Sequence, residues 1–317
     1  MSDFNQNSTI YVAGHNGMVG SAIMRLLQTR GFDKIITRSS KELDLRDGNQ
    51  VGDFLRIKKP EFIFLAAAKV GGIQANSIAP ASFLYDNLMI QANIIHQSYL
   101  HGVKKILVLG SSCIYPKDCP QPMKEGYLLS GKLEPTNEGY ALAKIVALKQ
   151  AEYYQKQYGF NAISVMPPNL YGPNDSFDLG KSHVLSALVR RFVDAVDTNN
   201  NEITLWGSGS ARREFMHVDD LAEALLFFMQ NYNDPEFINI GWGADISIKE
   251  LAEKIAYKTG YRGKILWDLS KPDGMLRKCM DVSKSNSLGY HPKISLDEGI
   301  SYMIEYYKQQ KRNGAII

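Results

Sequence analysis

The sequence predicts an α/β protein: a Rossmann-type, doubly wound parallel sheet with a smaller C-terminal α/β domain for substrate binding. Short apolar strands alternate with helices up to about residue 170, and a glycine-rich turn follows the first strand. At 317 residues and 44% hydrophobic, the chain is long enough to bury a large core. We expect a dinucleotide-binding domain in 1–170, which also receives later segments near 213–242, and a mainly substrate-binding domain in 171–317.

Each predicted element follows from a local pattern. Apolar runs typical of buried parallel strands lie near residues 9, 34, 62, 106 and 161. Helical patterns lie between them, near residues 21 and 47 and over 81–101 and 138–158. Prolines, glycines and asparagines become frequent from Pro167 onward, which predicts loops. Beyond them, 218–230 and 247–258 are predicted helices and 237–240 a predicted strand, so the chain is expected to cross between the two domains.

The glycine-rich turn after the first strand predicts a nucleotide site. Gly14 allows the tight turn, Gly17 lets the backbone approach a pyrophosphate, and Gly20 allows the helix to pack closely on the strand. The phosphates are expected at the N-terminus of the helix, where amide groups point outward. The residues predicted to contact the cofactor here are Gly14, Asn16, Gly17, Met18, Val19 and Gly20. The glycine spacing is GxxGxxG rather than GxGxxG, so the prediction of a nucleotide site depends on the position of this turn directly after a strand.

The residues after the second strand indicate which dinucleotide binds. An NAD site would carry an acidic residue there to bind the ribose 2′-hydroxyl. This chain has Arg38-Ser39-Ser40-Lys41 instead, and two cations with two hydroxyls suit a 2′-phosphate. We therefore favour NADP(H), with Arg38, Ser40 and Lys41 as candidate ligands. A solvated loop with unrelated charges is the alternative.

Three residues further along predict a carbonyl-reducing site. Tyr140 and Lys144 are i and i+4 neighbours on the predicted helix 138–158, so they lie on one face. A nearby ammonium favours the phenolate, and with the positive ring of an oxidised nicotinamide it lowers a tyrosine pKa from roughly 10 toward the range of a general acid or base. Ser111 follows the apolar run 106–109 and can hydrogen-bond the same substrate oxygen. Without a cofactor site upstream, the pair would instead be a half-buried tyrosine beside a solvated lysine.

Charge and cysteine content exclude several other classes of protein. The net charge is +3 and spread along the chain, which provides no surface for nucleic acid or a membrane. No apolar run approaches the roughly 20 residues that span a bilayer, and residues 1–9 are polar rather than signal-like. The cysteines form neither a disulfide framework nor a metal-type pair, so we expect no metal and a reducing cytoplasm; they are Cys113, Cys119 and Cys279.

A series of motifs runs in order through nearly the whole chain. They are AGH at 13–15, GMVG at 17–20, LAAAKVGGI at 65–73, LGSSCIYP at 109–116, LEPTNE at 133–138, YALAK at 140–144, NLYGP at 169–173, SHV at 182–184, WGSG at 206–209, RE at 213–214, HVDD at 217–220 and KPDG at 271–274. On these motifs the chain resembles the extended short-chain dehydrogenase/reductase family, and within it the enzymes that epimerise and reduce GDP-4-keto-6-deoxy-mannose. The resemblance implies NADPH-dependent reduction at C4 with 3,5-epimerisation, giving GDP-L-fucose for a capsule or surface polysaccharide. It also implies a homodimer formed through helices 81–100 and 140–158.

The resemblance assigns further residues. Cys113 and His183 match the family's acid/base pair for epimerisation, a reaction in which protons beside the keto group are acidified and inversion needs a base and an acid on opposite faces of the ring. The additional cofactor contacts that it implies are Leu109, Gly110, Lys144, Pro167, Asn169, Leu170 and His183. The GDP-sugar contacts that it implies are Arg191, Trp206, Arg213 and Asp273, with Arg190 and Arg212 as alternatives for the two arginines.

Departures from the family pattern lie around the expected sugar pocket and leave two alternatives open. They are Pro168 in place of a threonine, Gly180-Lys181 before the SHV motif, Ser210-Ala211 and Met275-Leu276. Because the positions of C3 and C5 depend on such loops, the first alternative is a C4-reductase of a related GDP-4-keto sugar, such as a GDP-4-keto-heptose, with little or no epimerisation. The second is a non-catalytic nucleotide-binding regulator on the same fold. Such a regulator would have no reason to keep Ser111, Tyr140 and Lys144 together.

Overall fold

The computed structural model describes residues 4–179, 182–271 and 273–314. Gly180, Lys181 and Pro272, which belong to the departures and motifs above, lie outside the described residues. The described strands are β1 (Ile10–Ala13), β2 (Ile35–Ile36), β3 (Phe62–Leu65), β4 (Lys105–Leu109), β5 (Asn161–Met166), β6 (Asn169–Tyr171), β7 (Glu202–Trp206), β8 (Arg212–Arg213), β9 (Phe215–His217), β10 (Ile238–Asn239), β11 (Ile246–Ser247), β12 (Lys264–Asp268) and β13 (Arg277–Lys278). The described helices are α1 (Met18–Thr29), α2 (Gly48–Lys58), α3 (Ile73–Ile78), α4 (Pro80–Leu100), α5 (Glu138–Tyr158), α6 (Val184–Asp197), α7 (Val218–Asn231), α8 (Ile248–Thr259), α9 (Ser283–Ser287) and α10 (Leu296–Arg312).

Six of these strands form a parallel central sheet in the order β2-β1-β3-β4-β5-β10. Successive side chains of a strand point to opposite faces of the sheet. On one face, Ile10 and Val12 belong to the hydrophobic cluster that includes α1 and α7. On the other face, Tyr11 and Ala13 pack with α2, α4 and α5. Helices on both faces of a parallel sheet make a doubly wound fold, which confirms the predicted fold class.

The predicted return of the chain to the central sheet is observed. After leaving the sheet at the end of β5, the chain comes back as α7 and β10, and β10 pairs in parallel with β5. Lys105, at the start of β4, fixes the end of α7. Its ammonium is buried and donates to the carbonyl oxygens of Phe228, Met229 and Tyr232 at 3.1, 2.6 and 2.6 Å.

A separate hydrophobic cluster lies in the C-terminal part. It joins α6, α8 and α10 with β7 and β12, and its buried members include Leu185, Val189, Leu251, Ile255, Ile300 and Met303. Two small sheets also lie in the described part: β8 pairs with β11 and β13 in one, and β6 pairs with β9 in the other. The domain boundary near residue 170 stays a prediction, and the separate clusters are the observation that favours it.

The observed elements begin and end within a few residues of the predicted ones. The helix predicted from residue 21 begins at Met18, because Gly17 is its extended N-cap. The helix predicted over 247–258 begins at Ile248, because the Ser247 side chain accepts from the backbone N–H of Glu250 in a capping box. The strand predicted near residue 34 is only two residues long, Ile35–Ile36.

Candidate active site

The glycine turn forms a backbone cradle for phosphate, here called the phosphate cradle (residues 14–20). Gly14 has a φ of +86°, and a Cβ built on it would lie 2.7 Å from the Cα of Ala67. A Cβ on Gly20 would lie 2.1 Å from the carbonyl oxygen of Gly14, so only glycine fits there. No side chain caps the N-terminus of α1 at Gly17, and its first amide groups therefore remain for an anion. This geometry fits the pyrophosphate of a dinucleotide.

The phosphate cradle lies where the strand order of the sheet reverses. β1 pairs with β2 on one side and β3 on the other, and ligands of open α/β sheets bind in the crevice at such a point. The segment 66–72 follows β3 along this crevice. Buried Asn87 holds it: its side chain accepts from the N–H of Lys69 at 2.8 Å and donates to the carbonyl of Lys69 at 3.0 Å.

The loop after β2 contains the residues predicted to bind a 2′-phosphate. Arg38 donates to the carbonyl of Thr37 at 2.7 Å, and its guanidinium lies 5.8 Å from the centre of the Phe54 ring. Ser40 and Lys41 are exposed in the same loop. Sequence reasoning missed Glu42, whose carboxylate accepts from the N–H and hydroxyl of Ser39, and these bonds hold its pKa below the usual value. The 2′-phosphate contacts stay a prediction.

The structure brings Ser111, Tyr140 and Lys144 together at the carboxyl end of β4. Tyr140 and Lys144 lie on one face of α5, with the ammonium 5.8 Å from the centre of the phenol ring. The buried Lys144 ammonium donates to the carbonyl of Leu109 at 2.7 Å. The Ser111 hydroxyl accepts from the backbone N–H of Cys113 at 3.4 Å. Burial raises the pKa of the Tyr140 phenol, and a hydrogen bond with Ser111 offsets part of this rise.

The pKa values of this group differ from the sequence-based expectation in one respect. Lys144 was expected to lower the pKa of Tyr140, but burial of the phenol raises it, and the nearby Cys113 thiol adds to the rise. Burial also lowers the pKa of Lys144 to about 8, and its ammonium is directed to the Leu109 carbonyl. The protein groups alone therefore favour a protonated Tyr140, the form that donates a proton.

Cys113 and His183 lie in different elements, and no described contact joins them. Cys113 lies in the short 3-10 helix that follows Ser111 and is 7% exposed. Burial raises the pKa of its thiol, while the charges of Lys278 and Lys144 and a hydrogen bond with Ser111 lower it. His183 is the exposed N-cap residue of α6. The neighbouring Asp175 has a pKa raised by burial and lowered by its bond with Ser186 and by the proximity of His183.

The structure distinguishes the members of the two arginine pairs. Arg212 binds the Asp245 carboxylate and lies 3.3 Å from Glu250. Arg213 instead donates to backbone carbonyls, including that of Met275 at 2.6 Å, and has no carboxylate within ion-pair distance in the described part of the chain. Burial lowers the pKa of Arg213, and the charge of Asp273 opposes this.

The other arginine pair differs in the same way. Arg190 lies 3.5 Å from Asp194 and donates to the carbonyl of Phe177. Arg191 donates to the carbonyl of Thr204 at 3.2 Å, and none of the described carboxylates pairs with it. Arg191 and Arg213 are therefore the arginines with guanidinium capacity left for a diphosphate.

Trp206 and Asp273 lie at one turn of the C-terminal part. Both oxygens of Asp273 accept from Ser208, at 2.7 Å from its N–H and 2.8 Å from its hydroxyl. Trp206 is 65% exposed, with the Lys271 ammonium 5.7 Å from its ring centre. Among the remaining cofactor candidates, Asn169 lies in β6. Its side chain donates to the carbonyl of Glu214 at 2.9 Å.

Sequence reasoning missed two charged groups in this region. The Glu214 side chain, fully buried, accepts from the N–H groups of Gly243 and Met280 at 2.8 and 2.7 Å, and burial raises its pKa to about 7. Lys278, in β13, lies close enough to Cys113 to influence its charge. The chain gives no local signal for either role, because both depend on segments that are far apart in sequence.

A cavity of about 260 Å³ opens beside the N-terminus of α5. Its described lining is Asn76, Ser77, Pro80, Pro135, Thr136, Asn137, Glu138, Gly139 and Tyr140. Of the candidate catalytic residues, only Tyr140 is among these described lining residues.

The described ranges 4–179, 182–271 and 273–314 also bear on metal and membrane binding. No group of three or more His, Cys, Asp or Glu side chains there is arranged to hold a metal ion. None of the described helices is both long and apolar enough to cross a membrane. Cys113, Cys119 and Cys279 are all buried and free of disulfide bonds.

Comparisons with known proteins agree with this geometry. Residues 10–241 match the model of the NAD dependent epimerase/dehydratase family. GDP-L-fucose synthase 1 of Arabidopsis thaliana is 52% identical over 97% of this chain and 94% of its own length. GDP-L-fucose synthase of Escherichia coli (strain K12) is 47% identical over 95% of this chain and 97% of its own. The structure of a GDP-D-glycero-L-gluco-heptose synthase from Campylobacter jejuni, determined in the presence of NADPH, has a TM-score of 0.90 at 38% identity and covers 98% of this chain and 100% of that one.

Proposed function

The chain belongs to the NAD dependent epimerase/dehydratase family, and from that premise we propose that it converts GDP-4-keto-6-deoxy-mannose to GDP-L-fucose. It is an NADP(H)-dependent oxidoreductase that reduces C4 after epimerisation at C3 and C5. The observation that carries this function is the convergence of Ser111, Cys113, Tyr140 and Lys144 at the carboxyl end of β4, on a fold whose first turn is shaped for a dinucleotide.

The reduction depends on groups that bind and protonate the carbonyl. NADPH, when bound, supplies the hydride for C4. Tyr140, which burial keeps protonated, donates its proton to the C4 oxygen, and the Ser111 hydroxyl orients that oxygen. Lys144 holds the nicotinamide ribose and supports the phenolate left after proton transfer. The phosphate cradle, with Arg38, Ser40 and Lys41 beyond it, binds the rest of the dinucleotide.

The epimerisation requires a base and an acid on opposite faces of the sugar ring, and we assign these roles to Cys113 and His183. A carbon beside the 4-keto group loses its proton readily, because the electron pair moves to the carbonyl oxygen. Cys113 is buried next to Tyr140, the residue that binds the same oxygen. His183 is the N-cap residue of α6 and its side chain is exposed, so it is accessible to a substrate.

The GDP part of the substrate is assigned to the C-terminal side of the site. Arg191 and Arg213 supply guanidinium groups for the diphosphate, since Arg190 and Arg212 already pair with Asp194 and with Asp245. Exposed Trp206 offers a ring face for stacking. Asp273 has lone pairs left beyond its two bonds to Ser208 and accepts from a hydroxyl or a base N–H.

The test of this function is NMR of the product that forms from GDP-4-keto-6-deoxy-mannose and NADPH in deuterated water. We expect GDP-L-fucose with deuterium at C3 and C5.

The alternative is C4 reduction of a GDP-4-keto-heptose with little epimerisation, for which the similarity to the Campylobacter jejuni heptose synthase is the specific observation. An unlabelled C4-reduced sugar, or turnover only of the heptose, would establish that alternative.

We also propose that the protein is a homodimer, formed through α4 and α5. Large apolar side chains are exposed on these helices: Tyr85, Leu100, Leu142, Val146 and Tyr153 are 60%, 56%, 39%, 44% and 57% exposed. A soluble protein covers a patch of this kind in an assembly. Sedimentation velocity is expected to show a dimer that Val146→Glu dissociates, whereas Glu253→Lys on α8 leaves it intact.

Two further proposals concern location and organisation. We place the protein in the cytoplasm, because its three cysteines are unpaired, and we assign its product to the synthesis of a surface polysaccharide. We also retain the division into a dinucleotide-binding part and a GDP-sugar part near residue 170, supported by the separate hydrophobic clusters.

A further inference from the structure

Lys278 reaches the neighbourhood of Cys113 through a strand that comes from the far end of the chain. β13 pairs in parallel with β8, so that Lys278 lies opposite Arg213. The residues after β13 are bound to the loop that follows Cys113: Met123 donates its N–H to the carbonyl of Cys279, and Asp281 donates to the carbonyl of Met123, both at 2.8 Å. The position of Lys278 is therefore fixed by backbone hydrogen bonds on both sides.

The two segments share a hydrophobic cluster. Cys113, Cys119, Met123 and Met280 are buried together in it. The half-buried Lys278 extends from the strand that borders this cluster, and among the described residues no hydrogen-bond or ion-pair partner satisfies its ammonium. An ammonium removed from water without a partner favours the appearance of negative charge beside it.

Each charged or titratable group that faces this pair can be identified. Lys278 faces the thiols of Cys113 and Cys119, the carboxylate of Glu134 and the guanidinium of Arg213. Glu134 has its own cation, since the Lys117 ammonium lies 3.4 Å away. Burial lowers the pKa of Lys278, and the attraction to Cys113 is the largest effect that opposes this shift.

Cys113 is surrounded from the other elements as well. Ser111 hydrogen-bonds it, and the charge of Lys144 acts on it from α5, where Tyr140 also lies. Burial raises the pKa of the Cys113 thiol, and among the effects that lower it the charge of Lys278 is the largest. Lys144 donates to the Leu109 carbonyl, so of these two cations Lys278 is the one whose ammonium has no hydrogen-bond or ion-pair partner within the described ranges.

We propose that Lys278 is a positioning residue that stabilises the thiolate of Cys113 while that thiolate acts as the base of epimerisation. In this step a C–H bond beside the 4-keto group breaks, an S–H bond forms, and the electron pair moves to the carbonyl oxygen as an enolate. Reprotonation of the carbon from the opposite face then inverts the centre. The catalytic part of this inference rests on the proposed function, whereas the charge pairing does not. The competing role for Lys278 is a direct bond to the substrate diphosphate beside Arg213.

The first test titrates Cys113 without any substrate. The rate of alkylation by iodoacetamide is measured from pH 6 to 10 on the Cys113 peptide by mass spectrometry. Lys278→Met is expected to raise the midpoint of this titration by about one pH unit or more, which means about a tenfold lower thiolate fraction below the midpoint. Lys278→Arg should keep the midpoint close to that of the original chain, and Lys124→Met, on the exposed part of the neighbouring loop, should not change it. An unchanged midpoint in Lys278→Met would overturn the proposal; Lys278→Gln replaces it if the methionine variant does not fold.

The second test separates the base role from substrate binding. With NADP⁺ and GDP-4-keto-6-deoxy-mannose in deuterated water, Lys278→Met should incorporate deuterium at C3 and C5 about tenfold more slowly near pH 7, and recover at higher pH. Its affinity for GDP, measured by calorimetry, should be unchanged. Weaker GDP binding with a normal exchange rate would assign Lys278 to the diphosphate instead and overturn the inference. If the original chain itself incorporates no deuterium, the proposed function fails, while the alkylation titration still decides whether Lys278 supports the Cys113 thiolate.

Discussion

The phosphate cradle and the sugar side of the site (His183, Arg213, Asp273 and Lys278) are built in different ways. In the cradle, backbone atoms of one short segment form the binding surface, and close packing such as that of Gly20 on the Gly14 carbonyl excludes any side chain. On the proposed sugar side, Arg213 of β8, Lys278 of β13 and Asp273 of the turn before β13 lie near one another over long sequence separations. The difference teaches that a site made of local backbone is specified by spacing, whereas a site made of distant side chains is specified by the whole fold.

Tyr140 belongs to neither region, and its removal should have the largest effect, since it is the proposed proton donor. Tyr140→Phe removes the proton donor for the C4 oxygen, so kcat for NADPH oxidation is expected to fall by about 10² to 10⁴. NADPH affinity, measured by fluorescence, should not change, because the cradle is intact. Deuterium exchange at C3 and C5 should continue, since Cys113 and His183 remain. Loss of exchange together with reduction would show that the phenol serves both steps.

The cradle should be intolerant of a single methyl group. The Cβ of Gly20→Ala would lie 2.1 Å from the Gly14 carbonyl oxygen, so we expect a loss of about 1–3 kcal/mol in the free energy of unfolding and weaker NADPH binding. Gly126→Ala is the matched control, because no atom lies within 4 Å of the added carbon. Urea unfolding and NADPH fluorescence measure both effects. Equal stability of the two variants would refute the steric account of the cradle.

Glu214, which follows Arg213 of the sugar side, should instead make the stability of the protein depend on pH. Burial raises the pKa of Glu214 to about 7, so between the usual 4.5 and 7 the folded protein holds a proton that the unfolded chain has released. The contribution of this group to stability is therefore greatest at low pH and falls as the pH rises to about 7.

Glu214→Gln tests that pH dependence because the amide cannot ionise. The variant is destabilised throughout, since its amino group meets a backbone donor, but its deficit relative to the original chain should shrink by about 1–2 kcal/mol from pH 5 to 8. Urea unfolding at pH 5, 6, 7 and 8 measures it, with exposed Glu253→Gln as the control. A deficit that is constant with pH would contradict the prediction.

The smallest effect is expected at the loop that extends the cradle toward the 2′-phosphate. Arg38→Ala should weaken NADPH binding by about tenfold and leave NADH binding unchanged, since one charge-assisted hydrogen bond is lost. Lys41→Ala should have the same effect to a lesser extent because Lys41 is more exposed. Calorimetric titration with both cofactors measures the ratio. An equal loss for NADH would place Arg38 at the adenine or in the loop structure and not at the 2′-phosphate.

The same contrast explains what the sequence predicted. The parallel sheet, its helices and the cradle follow from local patterns of apolar residues and glycines, and the structure has them within a few residues of the expected positions. Ser111, Tyr140 and Lys144 were brought together as expected because strand β4 and helix α5 are neighbours in a doubly wound fold. The prediction that the pKa of Tyr140 is lowered was wrong, because the opposing effect of burial depends on packing that no local pattern encodes.

The sugar side shows where sequence reasoning stops. Arg212 and Arg213 are equivalent in the sequence, and only the fold reveals that Asp245 pairs with the first of them. The sequence contains no signal for Glu214 or Lys278, because the groups they face come from distant segments. Met280, which donates to Glu214, is more than 60 residues away from it in the chain. A charged residue in or beside a short strand is predicted to lie on the surface until its partners are known.

The return of α7 to the central sheet has a consequence for how the protein is made. On a ribosome, the first five strands of the sheet can pair before residue 218 has been synthesised, but the face that α7 covers stays open until then. The Lys105 ammonium also lacks its acceptors, the carbonyls of Phe228, Met229 and Tyr232, until those residues have been synthesised. A nascent chain released early would thus present an apolar sheet face to other chains. Both faces of the central sheet are covered only after synthesis has passed the end of α7, so residues 1–170 alone would leave one apolar face exposed.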